Sequence, residues 1–113
     1  MVIWGGWGEP IAAGYDPQAD TWRELSAGPL RARDQAAMRS WADGIAVIGG
    51  STPLGPGPQE WFFDAALLDP RTGEWRRLPD LPRPDPASFA SPVSATEAPD
   101  GRLFVVMSSM APP

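Results

Sequence analysis

The sequence predicts an all-β chain built from four-stranded antiparallel units, and three observations carry that prediction. A hairpin signature occurs twice, as YDPQADTW at residues 15–22 and LDPRTGEW at residues 68–75. An apolar run ending in Gly-Gly precedes each hairpin, VIWGG at 2–6 and AVIGG at 46–50. Asp-Gly pairs at 43–44 and 100–101 each lead into a further apolar run, and short runs alternating with turn residues are the pattern of strands joined by tight connections.

Each element follows from local chemistry. In both hairpins Pro stands at the second turn position, where its ring presets φ, and Asp16 or Asp69 can accept hydrogen bonds from amides further into the turn. Gly73, and Asp20 at the matching place, can take the left-handed conformation that closes such a hairpin. Antiparallel pairing about these centres sets Tyr15 opposite Trp22 and Leu68 opposite Trp75 as same-face pairs. The Gly-Gly pairs permit positive φ where the chain leaves the sheet, and their missing Cβ lets an aromatic ring approach the backbone. A proline-containing loop follows each hairpin, SAGPLRAR and then PDLPRPDP. Beyond the loops, ARDQAAMRSW and ASFASPVSATEA are moderately apolar and read as the first strands of new units.

The recurrences run from Gly5 to Gly49, from Trp22 to Trp75 and from Asp43 to Asp100. They scatter around a period of about 50 residues, the spacing of kelch-type blades. With Gly-Gly followed by Tyr, six residues and Trp, the chain resembles the kelch repeats of β-propellers, the galactose oxidase central domain among them. Tyr15 to Trp22 fits that spacing in full. Gly49-Gly50 with Leu68 and Trp75 fits with one substitution, and Met107-Ser108 stands where a third glycine pair falls. The Asp-box of sialidase-type propellers differs, because its Asp and Gly are closer together than Asp69 and Gly73. A β-sandwich with two similar hairpins is the other arrangement that short, regularly spaced strands suit.

The resemblance implies three strands of one blade in residues 1–25, one complete blade in 32–79 and the first two strands of a third in 86–109, an incomplete propeller. Closure takes four to eight blades. Open blade edges and uncovered apolar faces invite self-association, and Met1 running straight into VIWGG suggests a piece of something longer.

Composition narrows the function. Nine basic residues, all arginine, against 14 acidic ones give a net charge of −5. That is the wrong sign for phosphate-neutralising contacts, so neither nucleic acid nor anionic membrane is expected as a partner. The chain has no Cys and no His, which removes thiolate chemistry, zinc-thiolate sites and the commonest general base near neutral pH. No cofactor is implied. The apolar runs are of strand length, far short of a membrane span, and MVIWGGWGEP lacks the basic and long apolar regions of a secretory signal. The chain reads as soluble, with its compartment unset.

Successive antiparallel strands reverse direction, so the second-to-third-strand loop and the loop between units share one face of a propeller, and the short turns share the other. The first set is long and varied, and loops on a rigid scaffold are where binding resides. The residues singled out there are Trp7, Glu9, Arg31, Arg33, Leu54, Gln59, Glu60, Trp61 and Arg83, facing a protein or polar ligand. Each has a plainer role open to it: Trp61 as a strand's first core residue, Arg33 as the partner of a neighbouring acid. An enzyme is the alternative, such as a sialic-acid mutarotase-like propeller with its catalytic groups in further blades. Galactose oxidase chemistry is out of reach, since it needs His ligands and a Tyr linked to Cys. Glu9, Glu60 and Asp85 are carboxylates that acid–base work needs, but no spacing marks them.

Overall fold

A computed structural model describes residues 1–5, 10–52, 57, 60–82 and 89–110, with the side chains of 89–94 and 107–110 excepted. Nine strands run through these residues, and no helix. The first sheet is β1 (Val2–Gly5), β2 (Ile11–Asp16) and β3 (Thr21–Leu25). The central sheet is β4 (Ala37–Trp41), β5 (Gly44–Ser51), β6 (Trp61–Leu68) and β7 (Trp75–Leu78), in that spatial order. A last pair, β8 (Phe89–Glu97) and β9 (Leu103–Met110), forms the third sheet. Every pairing is antiparallel between chain neighbours. Among the described residues no helix is long and apolar enough to cross a membrane.

The two hairpins form as their residues dictate. Tyr15 pairs with Trp22 and Leu68 with Trp75, and the Tyr15 and Trp22 rings meet with centroids 5.0 Å apart. The Asp16 carboxylate accepts from Gln18 N at 2.9 Å, and that of Asp69 from Arg71 N at 2.9 Å. Asp20 (φ 53°) and Gly73 (φ 77°) hold the left-handed position. The Tyr15 hydroxyl donates to Asp20, and that bond, with some desolvation, raises the phenol above its usual value of 10.0.

Two expectations about glycine need correction. Trp41 pairs with Gly44, so the central turn residues are Ala42 and Asp43, with φ of 51° and 60°, one place before the Asp-Gly centre. Both central residues of this hairpin class need positive φ to match the strand twist. Gly44 is required for a different reason, since a Cβ there would lie 2.6 Å from the Leu68 carbonyl oxygen. The second correction concerns the glycine pair: what crowds Gly50 is backbone, not an aromatic ring. A Cβ would lie 2.7 Å from Asp34 O, because Asp34 and Ser51 form a bridge. The ring packed on a glycine is Trp75 on Gly28, in the loop between the first two sheets.

The central sheet is covered on both faces, which is why β5 and β6 are almost continuously apolar rather than alternating. Leu68 packs with Ala12 and Leu25 of the first sheet, while Val47 and Ala66 pack under Leu30 of the connecting loop. Trp4 and Trp75 touch both groups. On the opposite face Ala46, Ile48 and Ala65 pack with Ala95, Leu103 and Val105 of the third sheet. Three indoles also reach across these junctions to backbone carbonyls: Trp4 to Ala27 (2.8 Å), Trp75 to Ser26 (2.6 Å) and Trp41 to Gly101 (2.8 Å).

Gly50→Ala sets a positive φ of 112° and a clash with Asp34 against it, and should cost about 2 kcal/mol or more. Gly57→Ala, with nothing within 4 Å of the added carbon, should stay within about 0.5 kcal/mol of wild type. Denaturant unfolding of the two variants checks the contrast.

Candidate functional site

The loop leading into β4 and the connection between β5 and β6 meet at one end of the central sheet. Asp34 and Ser51 exchange backbone hydrogen bonds at 2.8 and 2.9 Å. Thr52 N donates to Glu60 O, and Glu60 N to Thr52 Oγ1, both at 3.0 Å, closing the base of the β5–β6 connection. Above this base lies a cleft of about 550 Å³, lined by Arg31, Glu60, Trp61, Phe62, Phe63, Asp64, Arg77 and Asp80.

Its floor is held by Arg33, whose side chain is 0% exposed. Nε donates to Arg31 O at 2.9 Å and Nη1 to Gly49 O at 3.2 Å. The two terminal nitrogens fork onto the Asp64 carboxylate, Nη1 to Oδ1 and Nη2 to Oδ2, the latter at 3.3 Å. The guanidinium also lies over the Phe62 ring, 4.2 Å from its centroid, where the ring's negative face favours a cation. The glycine pair makes this possible. Gly49 is left-handed at a register shift in the β5–β6 ladder, and its carbonyl accepts from Arg33, as a glycine bulge allows.

Burial opposes ionisation of Asp64. The hydrogen bond and charge of Arg33, its own backbone amide and the charge of Arg77 outweigh that, and hold the carboxyl below its ordinary value of 3.8. Arg77 Nη1 lies 3.8 Å from Asp64 Oδ2 while Nη2 donates to Pro29 O at 2.9 Å. Arg31 stands at the rim with its Cζ 5.1 Å from the same Phe62 ring and Nη1 3.4 Å from Glu60 Oε2. Both members of that pair are largely exposed, so it contributes little to stability and leaves Arg31 with donors facing water.

Of the residues singled out from sequence, Arg31, Glu60 and Trp61 line the cleft, and Arg33 lies beneath it, bonded to Asp64. Trp7, Glu9, Leu54, Gln59 and Arg83 lie outside the described residues, as does Asp85. Sequence reasoning passed over Phe62, Asp64 and Arg77. A signal for Asp64 was present: it is the single charge in WFFDAALL, and an acid inside an apolar strand needs a cation. Arg77 follows Trp75 by two residues on the same strand face.

A glycine bulge bonded to a preceding arginine, followed by a Leu68–Trp75 pair closing a four-stranded antiparallel sheet, is the arrangement of one blade. The kelch motif family model matches residues 32–82. The central sheet is a kelch blade. No curated protein matches the chain. The blade has a stacked sheet on each side. The described residues form three antiparallel sheets, fewer than the four blades of the smallest closed ring, an arrangement consistent with part of a kelch-type propeller around that blade.

Removing Asp64 strands a buried guanidinium, so Asp64→Ala should destabilise the blade by about 3 kcal/mol at neutral pH. Because the folded pKa of Asp64 is depressed, its contribution is complete above the unfolded value of about 3.9 and is lost as pH falls through the lower folded value. Melting temperature against pH should therefore drop more steeply below pH ~4 in wild type than in Asp64→Asn.

Proposed function

We propose that the chain is a binding module which engages a protein or polar ligand through the loop-face cleft of its kelch blade. The observation carrying this reading is the pairing of two exposed cations, Arg31 and Arg77, with an aromatic wall of Trp61 and Phe62 around one concavity. Polar groups converging on an apolar-lined cleft supply orientation and contact area together. The rigid floor favours recognition, because Arg33 and Asp64 hold each other and leave the rim groups to face the ligand. Trp7, Glu9, Leu54, Gln59 and Arg83, on loops of the same sequence class, are proposed to extend the surface.

Catalysis has less support. Glu60 is engaged by Arg31, and Asp64 is held ionised by two arginines, whereas a carboxylic general acid working near neutrality needs its pKa raised.

Selection from a displayed random-peptide library on the immobilised chain tests the proposal. Enriched peptides should lose at least tenfold in affinity against Arg31→Ala, Arg77→Ala and Trp61→Ala. They should bind Arg71→Ala, on the opposite turn face, as they bind wild type. Peptides insensitive to all three cleft variants would place recognition elsewhere.

A further inference from the structure

Arginines and carboxylates meet at the loop end of the central blade, and they are matched unequally. Arg33 takes both oxygens of Asp64 in a buried fork. Arg77 is left 3.8 Å from that carboxylate, beyond hydrogen-bond length, and is tied instead by Nη2 to Pro29 O at 2.9 Å. Arg31 meets Glu60 through a single contact of 3.4 Å, with the two side chains 69% and 54% exposed. Asp80 lines the same cleft and has no ion pair among the described residues.

A guanidinium binds a carboxylate best through two parallel N–H···O bonds, as Arg33 binds Asp64, whereas Arg31 and Glu60 make one. An exposed pair of this kind is worth little, so a second carboxylate can exchange with Glu60 readily. Arg31 also borders a second hollow of about 420 Å³, on which Pro10, Pro29 and Leu30 lie and whose lining residues include no acid. It is the residue that the two linings have in common. On the cleft side its charge is opposed by Glu60, and on the other side by nothing in the lining. Pro29, whose carbonyl Arg77 holds, belongs to that second wall.

Resting on the reading of the cleft as a recognition site, we infer that it recognises a single acidic side chain in an extended peptide segment, with Glu60 as a built-in competitor. The ligand carboxylate takes Arg31 from Glu60 and lies toward Arg77, while its flanking residues follow the acid-free hollow. Singleness follows from Asp80 and from the chain's net charge of −5, both of which oppose a run of acids. A neutral polar ligand has no reason to displace Glu60 and gains nothing from its removal.

The probes are N-acetyl-Ala-Glu-Ala-amide and its Gln counterpart, titrated into the ¹⁵N-labelled chain while the arginine Nε–H and backbone amide signals are followed. The spectrum itself reports whether each variant is folded. The Glu peptide should give saturable shifts at Arg31 and Arg77, and bind about tenfold more tightly than the Gln peptide, the worth of hydrogen bonds to a charged group. Glu60→Gln should strengthen the Glu peptide about threefold, the size of an exposed ion pair, and leave the Gln peptide unchanged. In Arg31→Ala the preference for Glu over Gln should vanish. An affinity for the Glu peptide that is unchanged or weaker in Glu60→Gln would overturn the inference, as would absence of any shift at the cleft with either peptide. Glu and Gln peptides that bind the cleft equally would also overturn it while leaving the binding-module reading intact. Failure of that reading shows separately, in library-selected peptides that ignore all three cleft variants.

Discussion

A buried arginine constrains this fold more than any other single group. A guanidinium removed from water costs several kcal/mol unless its donors are matched, and Arg33 is matched by two carbonyls and both oxygens of one carboxylate. Those acceptors come from three separate segments: the loop before β4, the bulge in β5 and the middle of β6. Satisfying one side chain thus sets the path of the incoming loop, the need for glycine at position 49 and the place of Asp64. The cleft is the outer surface of that arrangement. Arg31, two residues before Arg33, is delivered to its rim, and Arg77 is drawn to the far side of the same carboxylate.

Around this polar knot the cohesion is apolar and nearly symmetric. The central blade presents Val47, Ala66 and Leu68 to one neighbour and Ala46, Ile48 and Ala65 to the other. Small residues in β5 and β6 let the sheets approach closely, while larger groups at the margins, Trp4, Trp41 and Trp75, close the gaps. The burial is ordinary in magnitude, about 1.5–3 kcal/mol for a side chain such as Leu68. Its distribution is what matters, since both faces of one thin sheet carry it.

The local code was the legible part. The Asp-Pro hairpins, the left-handed positions at 20 and 73 and the cross-strand pairs 15–22 and 68–75 all depend on residues within one turn of each other, and each stands where the residue chemistry puts it. Misreadings occurred where a residue answers to something distant. Gly44 faces a carbonyl of β6 and Gly50 the backbone of the incoming loop. Neither demand is visible in the neighbouring sequence, so the first looked like a turn residue and the second like a seat for a ring. Arg77, and Asp64 despite its lone charge in an apolar run, were missed because the partners that give them meaning are 31 residues away from Asp64 at Arg33 and 48 away from Arg77 at Pro29.

The three indole hydrogen bonds at the sheet junctions all end on main-chain carbonyl oxygens, at Ser26, Ala27 and Gly101. A grip on the peptide group is indifferent to which side chain that residue carries. The junctions can therefore keep their geometry while the connecting segments drift in composition, provided the backbone path and the small residue under Trp75 survive. A stack fastened in this way separates what sets the geometry of the scaffold, a few tryptophans and glycines, from the side chains of the segments that connect its sheets.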